Sequence, residues 1–150
     1  MSEDKQEELF WQGLSGEEKR YLRKSGSYIP FSPEEIIFRK GETSDGMYMI
    51  VSGEVDIMDH DETGDDIHIR TLSSGMILGE IGAFATSNRT ATVRGRTTGI
   101  LFKINKPVLD SLIENCPHCM SHIFLNTMHL MSQRIIQLTT EVSNLKKRIK

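Results

Sequence analysis

Between Ile36 and Ile104 the chain consists of short apolar runs separated by Gly, Ser, Asn and Asp, and this pattern restricts its fold more than any other feature. Runs of this length bounded by turn residues predict β-strands. We place the strands at residues 36–39, 47–51, 54–58, 67–72, 91–97 and 100–104. Short strands repeated with turns are typical of a barrel or jelly-roll sandwich rather than of βαβ units. The chain is therefore expected to be mainly β with flanking helices.

Helices are predicted on both sides of the strand region. Before it, residues 3–26 have helical character, with Ser15 and Glu18 spaced as a capping box and Gly26 as a stop. After it, residues 105–115 form a second helical segment. A chain of 150 residues can bury the core of one compact domain, and we expect no second domain.

The last predicted element, residues 118–150, carries an unbroken heptad pattern. Its apolar residues alternate at spacings of three and four, at Met128, Met131, Ile135, Leu138, Val142, Leu145 and Ile149. With Met128 at position a, β-branched residues fill the later a positions and leucines the later d positions, which favours a parallel two-stranded coiled coil. We therefore expect a homodimer through residues 118–150. The alternative is an amphipathic helix packed on its own domain.

Residues 78–93 read LGEIGAFATSNRTATV and concentrate groups suited to a ligand with one phosphate and a free sugar hydroxyl. Arg89 can form a planar fork with phosphate oxygens. The amides after Gly79 can face the same anion if the next residues form a helical turn. Glu80 would then accept a hydrogen bond from the sugar hydroxyl. The alternative is that Arg89 and Glu80 simply pair with each other on a loop.

This stretch resembles the phosphate-binding cassette of cyclic nucleotide-binding domains, as found in the bacterial cAMP receptor protein family and in cyclic-nucleotide-dependent kinases. Residues 41–55, GETSDGMYMIVSGEV, are similar to the early roll segment of that family, and the likeness covers about residues 36–145. The resemblance implies a double-stranded β-helix, or jelly roll, within one domain over residues 1–150. Its parts are N-terminal helices (1–30), the β-roll (31–104, with the cassette at 78–93) and C-terminal helices (105–150, with the dimer helix at 118–150).

The resemblance also implies which residues contact the nucleotide. These are Gly79, Glu80, Ile81, Gly82, Ala83, Arg89, Thr90 and Ala91 in the cassette, with Thr139 and Thr140 on the long helix. A threonine at the position of Thr90 is associated in relatives with tolerance of guanine, so cAMP and cGMP both stay open, with cAMP favoured. The implied function is a sensor that couples ligand binding in the roll to the dimer helix, as in bacterial transcription regulators.

Other motifs suggest rival functions. The run CPHC at residues 116–119 has the CxxC spacing of thiol–disulfide exchange, but no βαβ pattern precedes it. Adding His122 gives three zinc ligands, where a structural site usually has four. Residues 59–70 resemble a calcium loop whose twelfth position is arginine instead of glutamate. A purely structural dimeriser and a haem-based gas sensor are the remaining alternatives. Since no catalytic set is recognisable, we expect no enzyme, no metal and no cofactor besides the nucleotide ligand.

The net charge of −3 gives no general attraction to nucleic acid or to anionic membrane. No apolar run approaches the ~20 residues of a membrane span, and two cysteines provide no disulfide framework, so the cytoplasm is the expected location.

Bacterial regulators of the family place a helix-turn-helix module after the dimer helix, and the sequence up to Lys150 contains none. Two interpretations stay open: a stand-alone sensor that acts on a partner protein, which the sequence does not identify, and the sensor half of a transcription regulator.

Overall fold

The computed structural model describes residues 9–85 and 88–149. Three pieces of the predicted segments lie outside these ranges: residues 3–8 of the N-terminal helical segment, residues 86–87 of the cassette and residue 150 of the long helix. Within the described ranges, no helix combines the length and the apolar character needed to cross a membrane.

The strands are β1 (Ser27–Phe31), β2 (Ile36–Phe38), β3 (Gly46–Ser52), β4 (Val55–His60), β5 (Asp66–Leu72), β6 (Ile77–Leu78), β7 (Thr92–Gly95) and β8 (Gly99–Asn105). The helices are α1 (Gly16–Ser25), α2 (Glu80–Ala85), α3 (Lys106–Asn115) and α4 (Pro117–Ile149), and residues 9–11 are also helical. The strands form two antiparallel sheets of order β1-β8-β3-β6 and β2-β7-β4-β5. The predicted jelly roll with flanking helices is confirmed.

The sequence missed two strands, and each omission has a physical reason. β1 contains Pro30, which was expected to mark an irregular exit from the N-terminal helices. Proline is tolerated there because β1 lies at the edge of its sheet and pairs only with β8 among the described strands. β6 is two residues long and pairs with β3 through Tyr48 and Met49, so it is too short to produce a periodic signal.

One apolar core lies between the two sheets. Strand residues alternate between the two faces of a sheet, so each strand sends every second side chain inwards. The buried set comprises Phe31, Phe38, Tyr48, Ile50, Val55, Leu72, Leu78, Val93 and Leu101. This core holds β2, β6 and β7 in place around the start of α2, where the cassette begins.

A second core lies on the outer face of the first sheet, beneath α1, α3 and the first half of α4. Its buried side chains are Phe10, Trp11, Leu14, Leu22, Met47, Met49, Ile77, Ala83, Phe102, Ile104, Leu109, Leu112, Cys119, Met120, Ile123 and Leu130. The predicted capping box fixes the start of α1: the Glu18 amide donates to Ser15 Oγ (3.1 Å) and the Ser15 amide donates to Glu18 Oε1 (2.9 Å). Gly26 is the C-cap of α1, as predicted.

The two halves of α4 have different surroundings. The first half is packed on the domain through Cys119, Met120, Ile123, Asn126, Thr127 and Leu130. Residues 135–149 are exposed, and the seam residues Ile135, Val142 and Leu145 have exposed fractions of 59%, 51% and 55%. Packing on its own domain therefore does not account for the heptad pattern of this half. Dimerisation through it stays a prediction.

Candidate functional site

A cavity of about 100 Å³ lies where β6 passes into α2. Its apolar walls are Phe38, Ile57, Leu72, Leu78 and Val93, and its other lining residues are Gly79, Glu80, Ile81, Gly82, Arg89, Thr90, Ala91 and Arg134. Mostly apolar walls with a few convergent polar groups are the usual form of a small-molecule site. Seven of these eight other residues belong to the cassette and the eighth, Arg134, to α4, so the cavity gathers most of the predicted ligand residues.

Gly79 and Glu80 bring a carboxylate into the cavity. Gly79 has φ +75°, a conformation that glycine adopts without the steric cost of a side chain. Glu80 then begins α2, and its side chain is only 3% exposed. The Ala83 amide donates to the Gly79 carbonyl (3.2 Å), which closes the turn. The earlier amides of this turn have no acceptor within the helix, and they are the predicted partners of an anion.

Arg89 is held rigidly with its guanidinium beside the cavity. Its amide donates to the Glu42 carbonyl (2.8 Å), and its own carbonyl accepts from the Gly41 amide (2.9 Å). Nη1 donates to the carbonyls of Gly46 (2.9 Å) and Gly79 (3.2 Å), and the guanidinium lies 4.1 Å from the centre of the Phe38 ring. The arginine side chain is 2% exposed, so its orientation is fixed by packing as well as by hydrogen bonds.

Asp45 is the charged partner of Arg89. Arg89 Nη2 donates to Asp45 Oδ1 (2.9 Å), and Lys103 Nζ donates to Asp45 Oδ2 (2.6 Å). Burial alone would raise the pKa of the Asp45 carboxyl, but the Lys103 hydrogen bond and the charges of Lys103 and Arg89 lower that pKa overall. A guanidinium has five N–H donors, and within the described residues the bonds above do not use all of them. Arg89 therefore still has donors for a bound anion.

Arg134 of α4 reaches into the same cavity and was not predicted. Its Nη1 donates to Glu80 Oε1 (3.0 Å), and its Nη2 donates to the Ile77 carbonyl (2.6 Å). No local motif marks it, since it lies 54 residues from Glu80. The available signal was its position five residues before Thr139 on the helix that was expected to face the ligand. Arg134 is the polar link between the cavity and the long helix.

The alternative in which Arg89 and Glu80 pair with each other is wrong for this structure. Arg89 is paired with Asp45, and Glu80 with Arg134. Both side chains nevertheless line one cavity. A guanidinium and a carboxylate that face the same space from separate anchors can contact two parts of one ligand.

Three predicted ligand residues do not line the cavity of the single chain. Ala83 is buried beneath the turn, with 6% of its surface exposed. Thr139 and Thr140 lie on the exposed half of α4, where their hydroxyls donate to the carbonyls of Ile135 (2.8 Å) and Ile136 (3.0 Å). Ligand contact by these two threonines stays a prediction.

The loop between β4 and β5 forms a hydrogen-bonded hairpin turn. Asp61 Oδ1 accepts from the amides of Thr63 and Asp65 (both 2.9 Å) and from the Thr63 hydroxyl (2.6 Å). Gly64 has φ +87°, as a tight turn requires. These bonds account for Asp61, while Asp59 pairs with Lys40 and Asp66 with His60 and Arg94.

Replacing Gly79 with alanine tests how closely the turn and Arg89 are fitted. The new methyl group would be strained at positive φ and would collide with Arg89 Nη1. Gly41→Ala is the matched control, because Gly41 has φ +91° and no neighbouring atom within 4 Å of the added carbon. We expect denaturant unfolding to show a loss of about 1–2 kcal/mol for the control and at least about 1 kcal/mol more for Gly79→Ala. Equal losses would contradict the close fit.

Comparison with known proteins points to one family. A family model described as a cyclic nucleotide-binding domain matches residues 28–116. The chain is 30% identical over 119 residues to the cAMP-activated global transcriptional regulator CRP of Salmonella typhimurium, covering 77% of this chain and 53% of that protein. It is 25% identical over 85 residues to a cAMP-dependent protein kinase regulatory subunit of Blastocladiella emersonii, covering 57% of this chain and 21% of that protein.

A solved structure agrees on the fold. A cyclic nucleotide-binding domain from Methylobacillus flagellatus superposes with a TM-score of 0.83 at 18% identity, covering 95% of this chain and 84% of that one. The chain spans about half of the matched transcriptional regulator and about a fifth of the matched kinase subunit.

Proposed function

The chain belongs to the cyclic nucleotide-binding domain family, and on this premise we propose that it is a sensor that binds one cyclic nucleotide in the cavity between Arg89 and Glu80. The observation that carries the proposal is that these two side chains line one cavity from separate anchors, without pairing with each other. The names of the two relatives, one cAMP-activated and one cAMP-dependent, support cAMP as the ligand. cGMP stays the second candidate because of Thr90.

In the proposed complex the charges of the ligand and the site are complementary. The cyclic phosphate accepts hydrogen bonds from Arg89 and from the first amides of α2, which are both positive in character. The ribose hydroxyl donates to Glu80, whose carboxylate would repel the phosphate. Thr90 and Ala91 line the same cavity. The Thr90 hydroxyl would contact the base or the phosphate.

We propose that Arg134 couples the cavity to α4. In the structure Arg134 donates to Glu80 Oε1, the group that the ribose hydroxyl would also use. A bound nucleotide would therefore compete with Arg134 for Glu80. The loss of this hydrogen bond would change how α4 is held where its exposed half begins. Ligand binding shifts the position of the helix only to the extent that the nucleotide binds one arrangement more tightly than the other.

The coupling predicts a change in hydrogen exchange. With saturating cAMP, the amides of residues 128–149 should exchange at different rates from those of the free protein, and Arg134→Ala should reduce this difference. Arg148→Ala is the matched control, because it removes a basic side chain from the exposed end of the same helix. Hydrogen exchange followed by mass spectrometry measures both. Identical exchange with and without cAMP in the unmodified protein would contradict the coupling.

We also propose that the chain is a homodimer joined by the exposed half of α4. The apolar seam and its β-branched a positions support a second copy of this chain as the partner. Glu141 on this half of α4 already faces its own chain, because its Oε1 lies 3.9 Å from Arg70 Nη2. We propose no enzymatic activity. We propose a cytoplasmic location, which is supported by the two free cysteines.

Calorimetric titration of the full chain with cAMP and with cGMP tests the proposed function. We expect saturable binding of one cyclic nucleotide per chain. No binding of either nucleotide would reject it and would favour the structural dimeriser.

A further inference from the structure

A second cluster of reactive side chains lies away from the nucleotide cavity, at the corner between α3 and α4. Cys116 is the C-cap of α3, and Cys119 lies in the first turn of α4. Glu18 of α1 reaches the same corner from 98 residues earlier in the chain. One carboxylate oxygen of Glu18 and the two sulfur atoms all lie within 4.8 Å of one another.

The distances in this cluster match those between the ligands of a tetrahedral zinc ion. Zinc bonds of ~2.3 Å to sulfur and ~2.0 Å to oxygen place a thiolate and a carboxylate oxygen about 3.5 Å apart. The Cys119 sulfur is 3.2 Å from Glu18 Oε2, and the Cys116 sulfur is 3.8 Å from the same oxygen. A metal ion could therefore replace the two thiol hydrogen bonds with small movements of the side chains.

His118 is the candidate for the fourth ligand. Its Nδ1 is 2.7 Å from Glu18 Oε2 and its side chain is 63% exposed. Its ring also packs on the His122 ring, with the centroids 4.6 Å apart, so it has to turn away from His122 to share an ion with the two sulfur atoms. The sequence alone suggested Cys116, Cys119 and His122, and a structural zinc site usually has four ligands. In the structure the histidine beside Glu18 is His118. The missing ligand, Glu18, is brought in by the packing of α1 against α4.

The corner is both preorganised and accessible. The capping box already orients the Glu18 carboxylate, because its Oε1 accepts the Ser15 amide while Oε2 faces the cysteines. An open cavity of about 340 Å³, lined by Glu18, Cys116 and Cys119 among others, gives a metal ion a path from solvent.

The same corner is poorly suited to thiol chemistry, because Cys119 is fully buried and a reactive cysteine is usually partly exposed. Bound zinc stabilises the thiolate instead and releases the proton to solvent.

We propose that Glu18, Cys116, His118 and Cys119 form a structural zinc site. The ion would connect α1 to the root of α4 and would leave no open coordination position for catalysis. The site is independent of nucleotide binding, since none of its four residues lines the cavity next to Arg89. Its effect is to fix the N-terminal helix against the helix pair that carries the proposed dimer seam.

Metal titration of the full chain under reducing conditions tests the site. Co²⁺ serves as the spectroscopic probe, and one equivalent should give the visible absorption of tetrahedral, thiolate-bound cobalt, which one equivalent of Zn²⁺ should remove. Zn²⁺ at about a hundredfold excess over its Kd should raise the Tm by roughly 5 °C or more. Both effects should disappear in Cys116→Ser and Cys119→Ser.

Two further variants separate metal binding from folding. Glu18→Gln keeps an acceptor for the capping box, since glutamine also serves there, but it removes the anionic ligand and should weaken Zn²⁺ binding by more than ~10-fold. His129→Ala is the control for His118→Ala, because His129 is exposed on the same helix outside the cluster. Cobalt absorption that persists in both cysteine variants would overturn the proposal. So would a Cys116–Cys119 disulfide with no metal uptake, or no effect of either metal on the unmodified protein.

Discussion

Replacing Arg89 with alanine is expected to weaken cAMP binding by at least about tenfold. A charge-assisted hydrogen bond contributes roughly 1.5–3 kcal/mol. The Arg89 side chain is only 2% exposed to solvent, and it is positioned to make a two-point contact with the phosphate. Arg89→Lys should restore only part of the affinity, because an ammonium keeps the charge and loses the planar fork. Isothermal titration calorimetry of the three proteins measures the effect.

The control must separate ligand binding from folding, because Arg89 also satisfies the carbonyls of Gly46 and Gly79. Arg96→Ala is suitable: its side chain is 53% exposed, it pairs with Asp56 and it does not line the cavity. Each variant should first be shown to be folded at the titration temperature by its thermal unfolding curve. Unchanged cAMP affinity in folded Arg89→Ala would remove Arg89 from the proposed site.

The double substitution Val142→Lys and Leu145→Lys is expected to convert the dimer to a monomer. An apolar side chain of this size contributes ~1.5–3 kcal/mol when it is buried, and a symmetric dimer loses each contact twice. The dissociation constant should therefore rise by more than about a thousandfold. Sedimentation equilibrium over a range of protein concentrations measures it.

Ser143→Lys is the matched control for the seam. Ser143 lies between the two substituted residues on α4, but at heptad position b, away from the predicted interface. The Ser143→Lys variant should keep the molecular mass of a dimer in sedimentation equilibrium. A monomeric unmodified protein, or a double variant that stays dimeric, would contradict the proposed role of residues 135–149.

The cassette could be predicted from the sequence because its parts are close together in the chain. Gly79, Glu80 and Arg89 lie within eleven positions of one another, and the glycine backbone and the β-turn pattern place them at one end of the roll. The heptad pattern likewise depends only on local spacing. Both kinds of feature are set by short-range geometry, which a linear pattern records directly.

The partners of these residues could not be predicted in the same way. Asp45 is 44 residues from Arg89, Arg134 is 54 residues from Glu80, and Glu18 is 98 residues from Cys116. Asp45 and Arg134 are single charged residues without a motif, and the capping box marked Glu18 only as a helix start. Tertiary packing alone brings each of the three to its partner. Pro30 misled the sequence analysis in a different way. A proline locally indicates a break in regular structure, but Pro30 lies within β1, a strand at the edge of its sheet.

The central claim is that a cyclic phosphate contacts Arg89 while the ribose of the same ligand contacts Glu80. It is tested most directly by calorimetric titration of the unmodified chain with cAMP and with its 2′-deoxy analogue, which lacks the sugar hydroxyl. We predict one cAMP bound per chain and an affinity for the analogue at least about tenfold weaker, because a hydrogen bond to a charged group is lost. Equal affinities for the two ligands, or no binding of cAMP, would contradict the account.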